Sequence, residues 1–340
     1  MSTFETTTPT GAGRIDRRDF AGQVERHRGE LQVHCYRLLG SLQDAEDMVQ
    51  ETLMRAWRGL ETFEGRAPLR AWLYRIATNV CLDALSRKPR RTLPASLAAP
   101  ADPTRAPDPP LAESLWIEPY PDALLPQGDT DPEVAAVRRE DVALAFIAAL
   151  QTLPPRQRAV LILRDVLDFR ARETADLLDL TIPAVTSALH RARISLARAQ
   201  GAGGARSSAD AAMSERQRIL LDRYVRAWQS ANVQELIALL KEEVTLAMPP
   251  SSAWYVGRDA VGTFVGSWVF DGAGSGRWRL VPTRANGGPA FGLYRLDPPG
   301  GHVPFGIQTI AFEGERVSEI TTFIIPGLFR LFALPGTPPA

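Results

Sequence analysis

The 340-residue sequence has few of the groups on which many functions depend. It has two cysteines and four histidines. Cys35 and Cys81 each sit in an apolar helical pattern with no CxxC partner, so a disulfide framework or thiolate metal site is not expected, and both read as buried, reduced thiols. No apolar run approaches the roughly 18 residues a membrane helix needs. The N-terminus lacks the charged-then-apolar order of a secretory signal, and residues 1–15 read as a disordered leader. There is no excess of either charge, with 39 basic and 39 acidic residues. Coating nucleic acid by bulk charge is therefore excluded, and any such contact must come from a local basic patch. There is no internal repeat and no Asp–His pair at a defined spacing. The expectation is a cytoplasmic protein without a membrane segment, metal, cofactor or catalytic residues.

The chain divides into zones. Residues 16–91 carry long helical periodicity with few prolines. Residues 92–132 are rich in proline (Pro100, Pro103, Pro107, Pro109, Pro110, Pro119, Pro121, Pro126). They are acidic too, with Asp102, Asp108, Glu113, Glu118, Asp122, Asp129 and Asp131 against a lone Arg105. This composition reads as a linker without a packed core. Residues 133–200 are helical again, and 201–213, rich in Gly, Ala and Ser, form a flexible joint. Residues 214–335 begin helical and become rich in Val, Ile, Thr, Phe and Trp, and this shift from a 3.6- to a 2-residue period predicts an α+β domain.

In the first zone, Ser41 predicts an N-cap with Asp44 in an acidic first turn. Ala45, Met48, Val49, Thr52, Leu53, Ala56, Trp57 and Leu60 fall on one side of the helix that follows. Asp44, Asp47, Gln50, Glu51 and Arg55 fall largely on the other, as a solvated face or a docking surface. After a turn at 64–68 comes LRAWLYRIATNVCLDALSRKPRR, where Arg70, Arg75, Arg87, Lys88, Arg90 and Arg91 lie among Trp72 and Tyr74. Arginines beside aromatics suit single-stranded nucleic acid, although Trp72 serves equally as core support. DAEDMVQETLMRAWRG followed by FEGRAPLRAWLYRIATNVCLDALSRK resembles region 2 of the sigma-70 family, extracytoplasmic-function class. That resemblance implies docking of Asp44, Asp47, Gln50 and Glu51 on the β′ clamp helices of core RNA polymerase. It also implies capture of the non-template −10 strand of promoter DNA by Arg66, Arg70, Arg75 and Asn79. Pro68 departs from the usual loop and leaves the base preference open.

In 133–200, Pro154 and Pro155 suit a helix's first turn. A short helix, a turn at Thr181 and a basic helix form a helix-turn-helix pattern. Val185, Leu189, Ala192 and Leu196 keep an apolar stripe, while Thr186, Ser187, His190, Arg191 and Arg193 project elsewhere. The stretch LPPRQRAVLILRDVLDF…ETADLL…AVTSALHRAR resembles sigma region 4, which implies −35 DNA recognition by those five residues and a contact with the β flap. By the same resemblance the acidic linker threads the polymerase's channels, a role its charge suits by mimicking nucleic acid.

The C-terminal zone reads as helix, helix, strand, turn, helix, then strands through the tail after Ile325, with a hairpin at Gly314. Its order, with AWQSANVQELIALL and WYVGRDAV, is similar to the cone-shaped SnoaL-like fold. Trp254, Tyr255, Trp268, Trp278 and His302 are candidate pocket residues by that resemblance, and core packing is the alternative for the aromatics. His302 reads as a loop residue. The fold class expected is thus multidomain, with two all-α sigma modules and a C-terminal α+β SnoaL-like domain. The function implied is promoter recognition and DNA melting by a sigma factor, with the C-terminal domain as regulator. The alternatives are a sigma factor responding to a small-molecule ligand of that domain, a SnoaL-like enzyme with degenerate sigma modules, and a plain helix-turn-helix repressor.

Overall fold

The structure is a computed structural model that describes residues 17–63, 65, 67–112, 115–126, 141–201, 213–271, 275–297 and 300–339. The expected leader, Arg66 and most of the joint at 201–213 lie outside the described residues.

The first module contains α1 (Arg17–Glu25), α2 (Arg28–Leu39), α3 (Leu42–Gly59) and α4 (Leu69–Leu85). Gly40 ends α2 at φ +70°, a conformation that costs glycine little, and α3 starts two residues later. Ser41 Oγ accepts the Asp44 N–H at 3.1 Å, the N-cap expected from sequence. The second module contains α5 (Leu144–Gln151), α6 (Pro155–Leu161) with a π-helical turn at Ile162–Val166, α7 (Ala171–Leu178) and α8 (Ile182–Gly201). Asp179 takes a left-handed turn after α7, and Thr181 Oγ1 accepts the Ala184 N–H at 3.3 Å.

The two modules share one apolar core. Tyr36, Leu38, Leu73 and Tyr74 from the first pack with Leu150, Val160, Leu163 and Phe169 from the second. Arg158 of α6 is buried and donates to Leu38 O at the end of α2, and to Gln151 O and Leu153 O at 3.1 Å each. One cation thus satisfies carbonyls in both modules.

The linker has no core of its own, as its prolines dictate, yet it does not run free. Trp116, Ile117 and Tyr120 are fully buried, and Ile117 and Tyr120 join the core of the helical modules. Tyr36 Oη donates to Glu118 O at 2.8 Å. The Glu118 carboxylate accepts Ser41 Oγ–H at 3.0 Å and Leu42 N–H at 2.9 Å, satisfying the start of α3. Among its described residues the prolines leave single 3-10 turns at Pro94–Ser96 and Asp122–Leu124, and the aromatic residues between the prolines are what is buried.

The C-terminal domain follows the order α9 (Glu215–Gln229), α10 (Val233–Leu239), β1 (Leu240–Ala247), β2 (Trp254–Val256), α11 (Arg258–Phe264), β3 (Trp278–Ala285), β4 (Gly288–Asp297), β5 (Gly301–Glu313), β6 (Arg316–Phe323) and α12 (Leu328–Leu331). The sheet order is β2-β1-β6-β5-β4-β3, with β1–β6 parallel and the other pairs antiparallel. Gly314 turns the β5–β6 hairpin at φ +62°. Leu220, Tyr224 and Trp228 of α9 and Phe264 of α11 pack on one face of the sheet, against Trp278, Phe291, Ile310 and Ile320. The other face carries Tyr294, Ile307 and Phe323.

Two expectations fail here. The tail after Ile325 is a short helix rather than a strand. Leu328, Phe329 and Phe332 share one side of that turn and cover the second face of the sheet. His302 lies in β5, paired with Leu296, because the β4–β5 hairpin extends past the glycines that suggested a loop.

Candidate nucleic-acid interface

On α3, Asp47 and Gln50 are exposed and Glu51 is half-buried, its carboxylate paired with Arg55 at 2.6 Å. Asp44 is different. It is buried, and its carboxylate takes Lys88 at 2.5 Å and Arg91 at 2.8 Å. Burial alone raises its pKa, but the two cations outweigh it and hold the group below the usual carboxylate range. Asp44 therefore ties α3 to the residues beyond α4. Trp57, grouped by periodicity with the core side, is 45% exposed, and Met54 is 48% exposed. Asp47, Gln50, Met54 and Trp57 follow a 3-4-3 spacing and form one stripe. Two large exposed apolar groups beside polar ones mark a contact surface more strongly than the acids alone. Only the spacing was legible, because the Ala45–Val49–Thr52–Ala56 stripe already fills the buried side.

The basic residues of α4 are engaged within the chain. Arg70 Nε donates to Glu30 at 2.8 Å, and its guanidinium lies 4.8 Å from the Tyr74 ring centroid and 5.5 Å from that of Phe169. Burial raises the Glu30 pKa, yet hydrogen bonds from Arg70 and His27 bring the net value below the ordinary one. Arg75 pairs with Asp179 at 2.9 Å, in the turn of the helix-turn-helix. Asn79 is half-buried on the same helix. Arg70, Arg75 and Asn79 thus belong to one helix, and the second module covers part of it. Trp72 packs on Phe63 at 4.8 Å, which fits the supporting role.

On α8, Thr186, Ser187, His190, Arg191 and Arg193 are all exposed, while Val185, Ala188, Leu189 and Ala192 are buried. Arg191 reaches back to Ser187 Oγ at 2.7 Å. Arg193 forms a fork with Asp165 at 2.7 and 2.8 Å, which fixes it against the π-helical turn. The N-terminal half of the helix stands open, as a major-groove reader requires.

The five candidate pocket residues sit in different settings. Trp278 is buried edge-on against Trp228, and Tyr255 stacks on Phe264 with ring centroids 4.1 Å apart. Both are core residues. Trp254 and Trp268 face outward toward the linker, and His302 Nε2 bonds Gly276 O at 2.8 Å. A cavity of about 1210 Å³ lies instead where the modules meet, lined among others by Arg26, Glu30, Arg70, Tyr74, Asp122 and Arg284.

Asn286 was not singled out from sequence. It holds φ +53° in the Asn-Gly turn between β3 and β4, a strong hairpin signal. Its side chain accepts the Tyr120 N–H at 2.9 Å and donates to Tyr36 Oη at 2.9 Å and Val142 O at 2.7 Å. The dipeptide announces the turn, but nothing local announces partners 144 to 250 residues away. Beside it, Asp122 accepts Gly287 N–H at 2.8 Å and Arg284 Nε–H at 3.0 Å. The C-terminal domain thus grips the linker and both helical modules through one turn.

No helix among the described residues is long and apolar enough to cross a membrane. Residues 23–91 match the family model for sigma-70 region 2, and residues 143–196 match that for sigma-70 region 4. The chain is 42% identical over 325 residues to the ECF RNA polymerase sigma factor SigG of Mycobacterium tuberculosis, covering 94% of this chain and 85% of that protein. It is 27% identical over 182 residues to SigW of Bacillus subtilis, covering 53% and 88%. The crystal structure of the M. tuberculosis extracytoplasmic function sigma factor SigJ shares the fold, with a TM-score of 0.54 and 21% identity over 94% of this chain and 99% of that one. Two helical modules in the order of regions 2 and 4, an α+β domain behind them, and a relative matched along nearly the whole length lead to one family: the chain is an ECF RNA polymerase sigma factor with a SnoaL-like C-terminal domain.

Proposed function

We propose that the chain brings core RNA polymerase to promoters through three surfaces and that its C-terminal domain controls when they become available. The stripe Asp47, Gln50, Met54 and Trp57, with Glu51 at its edge, docks on the β′ clamp helices. Asp44 acts behind it by holding α3 in place. Thr186, Ser187, His190 and Arg191 enter the major groove at −35, with Arg193 supporting that helix from its fork with Asp165, and the second module also meets the β flap. Arg70, Arg75 and Asn79, with Arg66 on the preceding loop, take unpaired −10 bases once the second module has moved off α4. The protein works in the cytoplasm, where core polymerase is found, and carries out no covalent chemistry.

The observation that carries this reading is the exposed polar–apolar stripe on α3, which a plain helix-turn-helix repressor has no use for. The test is run-off transcription with core polymerase on promoters recovered by genomic selection. The full chain initiates, and Met54→Ala/Trp57→Ala lowers its apparent affinity for core by about tenfold or more. Equal activity of that double variant removes the docking assignment. A small-molecule ligand in the C-terminal domain gains no support from the five aromatic and histidine positions, since Tyr255 and Trp278 pack in the core while Trp254 and Trp268 bond linker carbonyls.

A further inference from the structure

The C-terminal domain holds the first part of the linker along a defined track. Trp254 Nε1–H donates to Ala98 O at 2.8 Å, and Trp268 Nε1–H donates to Pro103 O at 3.2 Å. The Ala101 N–H returns a bond to Trp254 O at 2.8 Å, at the free edge of β2, and the Leu111 N–H donates to Pro250 O at 2.9 Å. Ala101 packs onto the core of that domain. Asp102 folds the chain locally by accepting Thr104 N–H at 3.0 Å and Thr104 Oγ1–H at 2.7 Å. Burial raises the pKa of Tyr255, with Asp108 and Asp102 adding to it, so both linker acids lie near this edge of the domain. Trp268 is 42% exposed, an unusual place for an indole unless it serves a contact.

Indole N–H groups that meet main-chain carbonyls of a proline-rich segment form a general recognition mode. Proline cannot donate its own N–H, so such a segment offers unpaired carbonyls, and its restricted backbone loses little entropy on binding. We propose that Trp254, Trp268 and the β2 edge form a binding site for an extended proline-rich peptide, that its occupant is residues 98–111 of this same chain, and that core polymerase must take this segment from the C-terminal domain before the linker can enter the polymerase channels. The last clause rests on the function proposed above. The tether supplies a high local concentration, so a few weak bonds suffice to keep the strap seated. Apparent affinity for core then falls by the fraction of chains whose strap is free.

The strap carries its own reporter. Arg105 is the lone Lys or Arg between Arg91 and Arg138, so trypsin cuts this stretch at Arg105–Ala106 and nowhere else. Two full-length variants are compared with the parent: W254F/W268F, which keeps the rings and removes the indole donors, and Ala101→Pro, which removes one linker N–H and changes no residue of the C-terminal domain. Both are expected to be cut at Arg105 about tenfold faster than the parent, the effect of losing one or two net hydrogen bonds. Both are also expected to bind core polymerase several-fold more tightly. Equal cleavage in all three chains overturns the binding site. Faster cleavage with unchanged core affinity overturns the competition. If the parent does not bind core at all, the sigma reading of this chain fails, while the cleavage rates still decide whether the strap is held.

Discussion

The two helices proposed to read DNA differ in state. α8 presents Thr186, Ser187 and His190 to solvent, with Arg191 and Arg193 held by neighbours on its own module. α4 has Arg70 committed to Glu30 and Phe169, and Arg75 to Asp179, so part of its basic face is spent on the second module. Both helices carry arginines at helical spacing and look alike in sequence. The difference arises from what the fold brings against them, and it implies an order of events. On the proposed reading, the face offered to −35 duplex is open in this arrangement, whereas the face offered to unpaired −10 bases is uncovered only when the modules part. The C-terminal domain favours the closed arrangement, because Asn286 joins Tyr36 of the first module, Tyr120 of the linker and Val142 beside the second.

The largest expected effect breaks that closure. Asn286→Gly tolerates the left-handed turn and removes only the amide. It takes three bonds from buried partners, at an expected cost on the order of 2–4 kcal/mol in docking. Hydrogen exchange at the Tyr120 amide should speed up accordingly. Run-off transcription at limiting core polymerase should rise if closure restrains the factor. An unchanged exchange rate would mean that the turn is not what holds the domain.

The next effect separates the two helices directly. In the absence of polymerase, Arg191→Ala should weaken binding to −35 duplex and reduce the slope of log affinity against log salt by about one. Arg75→Ala should leave that duplex binding unchanged and act only in promoter opening with core polymerase, where permanganate reactivity of −10 thymines reports it. Equal effects of both substitutions on duplex binding would erase the distinction between an open and a covered helix.

Much of this was legible in the sequence, and the parts that were not share a cause. Period and caps located α3, α4, α7 and α8, because Ser41, Thr181 and the apolar stripes act within a few residues. The reading of Asp44 as a surface acid and Trp57 as a core residue went astray at the edges of a stripe. There the decision belongs to Lys88, Arg91 and Phe20, which reach the helix from elsewhere. The linker was legible as too proline-rich for a packed core but not as buried, since Tyr120 finds Tyr36 and Asn286 across domains. His302 was misread because glycine and proline mark turns without saying how far a hairpin extends, and the tail after Ile325 because the sheet face that its helical turn covers is built from distant strands.

A smaller effect tests the packing beneath α4. His34 of α2 is fully buried, with Nε2 bonded to Thr78 Oγ1 at 2.8 Å. Burial first, then Arg37 and Arg70, push its pKa down to about 3. The folded chain therefore keeps this imidazole neutral where the unfolded chain, near 6.5, binds a proton. Stability from this group is full above about pH 6.5 and is lost as pH falls from there toward 3, with a slope of at most about 1.4 kcal/mol per pH unit. Urea unfolding between pH 7 and 4.5 should show this slope, and His34→Gln should flatten it.

The smallest effect concerns an ion pair that joins α4 to the helix-turn-helix. Arg75 and Asp179 meet at 2.9 Å, but both are largely exposed. An exposed pair gains little over hydration and is screened by salt, so it contributes well under about 1 kcal/mol. Asp179→Asn should therefore shift the closed arrangement only about twofold, far less than Asn286→Gly. It should do so at low salt and not at high salt, read as the onset of single-stranded −10 binding without polymerase. A large, salt-insensitive gain would place the lock at this pair and demote the apolar contact of Phe169 with Tyr74. The expected small gain leaves that contact, together with the Asn286 turn, as what the polymerase must overcome to uncover α4.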